Sequence, residues 1–133
     1  MPPLTPDQFS LVDAVMTGVV ACLGGAFVYF ILVRSTVNSA YHSALAIATV
    51  VVGIAALHYV HLSDSFAENF EFVDGTWLPT GPPFANGFRY IDWLITVPLL
   101  LTQFVLVLRL EPATARRLIV RLVLASLALI ALG

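Results

Sequence analysis

The sequence predicts an all-α integral membrane protein, and three observations lead to that fold class. The chain has 133 residues, of which 59% are hydrophobic and 11% are charged. Its mean hydropathy is +0.95. Soluble domains carry about 25% charged residues, so soluble nucleotide-binding, zinc-finger and DNA-binding proteins are excluded. The third observation is that the apolar residues fall into long spans separated by polar turns.

Four apolar spans form a single membrane domain over the whole chain. They are called spans A to D and lie at about residues 6–34, 39–61, 88–108 and 113–133. Span A contains a stretch without a charge, Ala14 to Val33, that is long enough to cross a hydrocarbon core of about 30 Å. Thr5 and Gln8 form a capping box with Pro6 at the first helical position, which predicts where span A begins. Span D is still apolar at Gly133, so we expect a truncated chain.

The polar connections predict a β-hairpin and an orientation. In the loop of residues 64–87, between spans B and C, Asp74-Gly75 favours the two-residue turn of a hairpin. Cytoplasmic turns collect arginine, so we expect an inner (plasma) membrane protein whose N-terminus and B–C loop face outside. The net charge is −2, so no nucleic-acid partner is predicted. The arginines that set this orientation are Arg34, Arg109, Arg116, Arg117 and Arg121.

Span C carries a polar stripe on one helix face. A carboxylate inside a membrane costs about 2.5–3.5 kcal/mol on the lenient insertion scale, so it must face protein, water or a counter-charge. We interpret Asp92 as a proton acceptor, and an ion pair with Arg89 that only holds helices together is the alternative. His58 in span B lies at a similar depth and could pair with Asp92, or bond a backbone carbonyl instead. At about 100° per residue, the stripe consists of Arg89, Asp92, Thr96 and Gln103.

One segment of span C resembles a known family. Arg89–Leu100, which reads RYIDWLITVPLL, is similar to the third helix of the microbial rhodopsins, seven-helix proteins that hold retinal as a protonated Schiff base. Leu32–Ser35, Gly53–Tyr59 and the B–C hairpin resemble the proteorhodopsin and xanthorhodopsin branch. The resemblance implies that the chain contains helices A–D of that seven-helix bundle.

Carried over residue by residue, the resemblance also implies roles in a site. Asp92 is the Schiff-base counterion and primary proton acceptor, Arg89 lies on the release side, and Thr96 places a hydroxyl beside the Schiff base. His58 matches the histidine that pairs with the acceptor. Gln103 occupies the position where proton-pumping relatives carry a carboxylic acid as internal donor. The residues expected to line the retinal are Tyr90, Trp93, Val97 and Leu100. No metal site is predicted.

Two departures from the family affect this prediction. The Gln103 amide cannot deliver a proton, so reprotonation of the Schiff base would have to come through water. This departure favours a sensory receptor more than a carboxylic acid at this position would. The chain has no lysine, so retinal cannot be attached covalently within it. We therefore expect an N-terminal fragment whose partners are the lipid bilayer, the missing helices E–G of the same protein and further copies of itself.

The predicted function is a retinal-dependent, light-driven outward proton pump without enzymatic activity. A sensory photoreceptor of the same fold is the first alternative. A non-photoactive four-helix membrane assembly module is the second, because Gly24-Gly25 and the alanines of spans A and D allow close helix packing. An intramembrane hydrolase is least favoured, since no second carboxylate or serine is placed against His58.

Overall fold

The structure, a computed structural model, describes residues 2–81 and 87–132, with the backbone alone at Phe88 and Arg89. Within these residues, four long α-helices follow one another and a small antiparallel hairpin lies between the second and the third. Each helix packs on the next one along the chain. The elements are α1 (Pro6–Val33), a 3₁₀ turn (Ser39–Tyr41), α2 (His42–Glu68), β1 (Phe70–Val73), β2 (Thr76–Pro79), α3 (Gly87–Val107) and α4 (Pro112–Leu132).

Three segments of the described chain are long and apolar enough to cross a membrane: Pro6–Val33, Ser39–Glu68 and Tyr90–Val107. They confirm the all-α membrane fold. Helix α4 forms where span D is predicted, but it carries three arginines in its first half and is not one of these three segments. The chain is thus a multi-pass membrane protein, and the crossing by α4 stays a prediction.

Helix α2 continues beyond His61, where span B is predicted to end, and stops at Glu68. Leu62 and Phe66 are buried, so extending the helix keeps both side chains packed. Asn69 then ends the helix. Its side-chain Nδ2 donates to the backbone oxygen of Ser65 at 2.7 Å.

The start of α1 and the tip of the hairpin have the local structures that the sequence predicts. The Thr5 hydroxyl accepts from the Gln8 N–H at 3.3 Å, and Gln8 Oε1 accepts from the Thr5 N–H at 3.0 Å. Asp74 and Gly75 have φ angles of 48° and 82°, the left-handed pair that a tight hairpin turn requires. The antiparallel register pairs Phe70 with Pro79, Glu71 with Leu78, Phe72 with Trp77 and Val73 with Thr76.

Helices α1 and α2 approach closely at Gly53. A Cβ atom placed there would lie 3.0 Å from Cε2 of the Phe27 ring, so a larger residue would displace that ring. At Gly24 and Gly25 a Cβ atom would meet nothing within 4 Å in the described chain. The close packing of these two helices therefore depends on Gly53 and not on the Gly24-Gly25 pair.

A cluster of four aromatic side chains packs the hairpin against α1 and α2. Its members are Phe9, Phe66, Phe70 and Trp77. The Phe9 ring of α1 stacks on Trp77 of β2, with centroids 3.8 Å apart, and on Phe66 of α2 at 5.0 Å. Its edge meets Phe70 of β1 at 5.9 Å. Leu4 adds two backbone hydrogen bonds of 2.9 Å to Trp77. The Phe9 ring therefore joins α1, α2 and both strands.

We expect Phe9→Ala to lower the free energy of unfolding by about 3 kcal/mol, because it removes ring contacts to three elements and leaves a cavity. Unfolding in mixed micelles by sodium dodecyl sulfate, followed by circular dichroism, measures this change. Phe72→Ala is the control, since Phe72 is 54% exposed and its change should stay near 1 kcal/mol. Equal losses for the two variants would contradict a central role for Phe9.

Candidate functional site

The predicted polar stripe occupies one side of α3, and that side is turned inward. Asp92, Thr96 and Gln103 are spaced by four and seven residues, which places them on the same helix face. Thr96 is only 6% exposed, and Asp92 and Gln103 are half-buried. Helix α3 is apolar enough to cross a membrane, and it turns the side that carries these three polar residues away from the lipid.

Two oxygen atoms of the stripe are fully buried and lack a donor among the described residues: Asp92 Oδ1 and Gln103 Oε1. A buried acceptor that stays unsatisfied costs about 1–3 kcal/mol, and more when it is charged. Native proteins therefore provide such atoms with a partner. Arg89, the predicted counter-charge, lies in the first turn of α3, three residues before Asp92, but its side chain lies outside the described part of the structure. The described residues supply no donor to either oxygen.

The Thr96 hydroxyl bonds to its own helix. Its Oγ1 donates to the backbone oxygen of Asp92 at 2.8 Å, and Thr102 bonds Pro98 in the same way at 2.8 Å. Such back-bonding satisfies a hydroxyl in apolar surroundings and often bends the helix. Because the proton of Thr96 is used, its oxygen lone pairs remain available to accept a hydrogen bond from a ligand on this face.

His58 belongs to the buried face of α2. It comes seven residues after Val51 and four before Leu62, both of which are buried, and is itself half-buried. Helices α2 and α3 pack on each other, so His58 and Asp92 lie on inward faces of neighbouring helices. That arrangement is compatible with the predicted pairing, which stays a prediction.

The residues expected to line the retinal occupy an adjacent face of α3. Tyr90, Trp93 and Leu100 are 42%, 46% and 48% exposed, and Val97 is half-buried. The four fall within about 80° of one another around the helix axis. The rings of Tyr90 and Trp93 meet edge to face, with centroids 5.8 Å apart. An apolar aromatic face beside a buried carboxylate fits a long apolar cofactor that carries one positive charge.

The structure adds a contact at the other end of α3 that sequence reasoning did not find. The Arg109 guanidinium lies over the ring of Tyr41, 5.5 Å from its centroid, and Arg109 has a φ angle of 50°. This cation–π contact ties the end of α3 to the start of α2. No spacing rule links two residues so far apart in sequence, so only the fold reveals it.

Comparisons with known proteins point to one family. A family profile described as "Bacteriorhodopsin-like protein" matches residues 9–133. The green-light absorbing proteorhodopsin of Gamma-proteobacterium EBAC31A08 is 34% identical over 115 residues, which cover 86% of this chain and 41% of that protein. Sensory rhodopsin-1 of Halobacterium salinarum is 32% identical over 125 residues, covering 91% of this chain and 47% of that protein.

Solved structures agree with the sequence relatives. Thermophilic rhodopsin superposes with a TM-score of 0.95 at 41% identity, over 100% of this chain and 53% of that chain. Xanthorhodopsin, described as a light-driven ion pump with dual chromophore, superposes with a TM-score of 0.93 at 36% identity. This match also covers 100% of this chain and 53% of that chain. The chain spans about half the length of these relatives. It belongs to the bacteriorhodopsin-like family, and the resemblance of its third helix to the microbial rhodopsins is confirmed.

Proposed function

We propose that this chain carries the proton acceptor of a retinal-dependent, light-driven outward proton pump. The observation that carries the proposal is the buried Oδ1 of Asp92, an acceptor inside a membrane-crossing helix and beside an exposed aromatic face. The likeness to a proteorhodopsin and to a light-driven ion pump supports it. The same proposal puts the chain in the plasma membrane with its N-terminus outside.

Retinal, when bound, supplies a cationic nitrogen that light makes able to release a proton. In this chain, Asp92 would balance that cation, and the apolar face of Tyr90, Trp93 and Leu100 would hold the polyene. The 133 residues contain no lysine, so the nitrogen that carries retinal would come from outside them. We propose that helices E–G of the complete protein provide it and cover this face.

The residues before Asp92 would direct its proton outward. While Asp92 is ionised, it attracts the guanidinium of Arg89 one turn away, and the attraction is strong because the surroundings are apolar. Protonation removes the negative charge and therefore that attraction. Arg89 is then free to turn toward the outer surface and favour release of a proton there. Thr96 keeps the backbone at Asp92 in place through its hydrogen bond to the Asp92 carbonyl.

Gln103 marks the inner side of the site. It follows Asp92 by eleven residues, or about 16 Å along the helix axis. Its amide cannot give up a proton at neutral pH, and its buried Oε1 can only accept a hydrogen bond. Refilling the site with a proton would therefore depend on water that reaches this depth, which makes the return to the starting state slow.

A sensory photoreceptor is the second candidate function. The amide at Gln103 and the likeness to sensory rhodopsin-1 favour it, because a receptor gains from a long-lived activated state. Light-driven acidification around cells that express the full-length gene with all-trans-retinal separates the two functions. Sustained acidification supports the pump, whereas a complete photocycle without acidification supports the receptor.

Asp92→Asn in the full-length protein should shift the absorption to longer wavelength and lower proton pumping at least about 100-fold, because it removes the acceptor charge and a proton-transfer group. Absorption spectra and light-driven acidification measure the two effects. Asp64→Asn, at an exposed position of α2, is the matched control and should change neither. An Asp92→Asn pigment with unchanged colour and full pumping would refute the assignment.

Gln103→Glu should speed the return of the proton by about 100-fold, since it places a proton-donating carboxyl at a position that now holds an amide. Flash photolysis of the full-length pigment measures the decay of the deprotonated state. Gln103→Met fills the same volume without a proton to give and should stay as slow as the parent. Equal decay rates for the Glu and Met variants would show that this position does not lie on the proton path.

A further inference from the structure

One exposed face in the first half of α4 forms a shallow, open basic groove that the proposed proton path does not use. The groove has a volume of about 470 Å³. Spacings of three, four, seven and eight residues from Ala113 place its lining on one helix face. All three arginines among them are exposed. The lining residues are Ala113, Arg116, Arg117, Val120 and Arg121.

The charge around this groove favours an anion. Glu111 is the only acidic residue of the chain after Asp92, against four arginines from Arg109 onward. The guanidinium group is a planar fork of N–H donors that matches the oxygens of a phosphate.

The depth of the groove matches the headgroup region of a bilayer. Helix α3 crosses the membrane, turns at residues 108–111, and α4 packs back along it. Arg116 and Arg121 lie about 6 Å and 14 Å along α4 from Pro112. The headgroup zone is about 5–8 Å thick on each side, and arginine stems reach toward it from deeper positions. Residues 122–132 carry no charge, which fits the predicted continuation of α4 into the apolar region.

We propose that this groove binds the phosphate of an anionic phospholipid, such as phosphatidylglycerol. Arg116, Arg117 and Arg121 contact the phosphate oxygens, and Val120 and Ala113 contact the glycerol and the first acyl carbons. The apolar side of the groove favours a lipid over a free phosphate, because a lipid covers both the arginines and the apolar lining. This site does not depend on retinal, on Asp92 or on proton transport.

The test measures the affinity of the full chain, in phosphatidylcholine nanodiscs, for fluorescent phosphatidylglycerol. Each arginine near an anionic lipid is worth about fivefold in affinity, so Arg117→Gln should weaken binding about fivefold and Arg116→Gln/Arg117→Gln about 25-fold. Arg34→Gln is the matched control, since it removes one exposed arginine at the end of α1, outside the groove. It should change the affinity by less than about twofold.

Two further measurements distinguish a phospholipid site from a loss of fold and from a site for free phosphate. Arg117→Lys keeps the charge and the fold, and it should bind phosphatidylglycerol more tightly than Arg117→Gln. Inorganic phosphate at millimolar concentration should not displace the lipid. Three results would overturn the proposal: equal weakening by Arg34→Gln and Arg117→Gln, equal affinity for phosphatidylcholine and phosphatidylglycerol, or displacement of the lipid by inorganic phosphate.

Discussion

A carboxylate inside a membrane-crossing helix is the constraint on which the rest of this structure depends. Leaving Asp92 against lipid would cost about 2.5–3.5 kcal/mol even on the lenient scale, so α3 must turn that side toward the protein. The same rotation buries Thr96 and brings Gln103 inward. The same rotation leaves the aromatic face of α3 exposed. The polar side of α3 is thus turned inward, and Tyr90, Trp93 and Leu100 on the adjacent side stay exposed.

Other elements of the fold lie near both ends of α3. On one side, α3 follows the hairpin that the Phe9 ring joins to α1 and α2. At its other end, Arg109 lies over Tyr41 at the start of α2. Between these ends, the two buried oxygens of the stripe, Asp92 Oδ1 and Gln103 Oε1, have no donor among the described residues. The chain spans about half the length of its relatives, and the proposed function assigns the cover of the aromatic face to the rest of the protein.

Much of this fold could be predicted because its signals are local. Long apolar spans predict four helices, of which three in the described chain are long and apolar enough to cross a membrane. The Asp74-Gly75 pair predicts the hairpin turn that forms. The end of α2 could not be predicted, since Phe66 is buried by a ring from α1, distant in sequence. For the site, spacing alone places Asp92 on one face with Thr96. The insertion cost of the carboxylate predicts that this face turns away from lipid. Which oxygens lack a donor depends on packing, so only the structure shows it.

The most direct test of the account is the infrared difference spectrum of the full-length pigment, light minus dark. If Asp92 is the buried acceptor, illumination produces a new carbonyl band of a protonated carboxylic acid, and that band disappears in Asp92→Asn. A spectrum without such a band, or one in which the band survives the substitution, would contradict the claim that the buried carboxylate of α3 receives the proton.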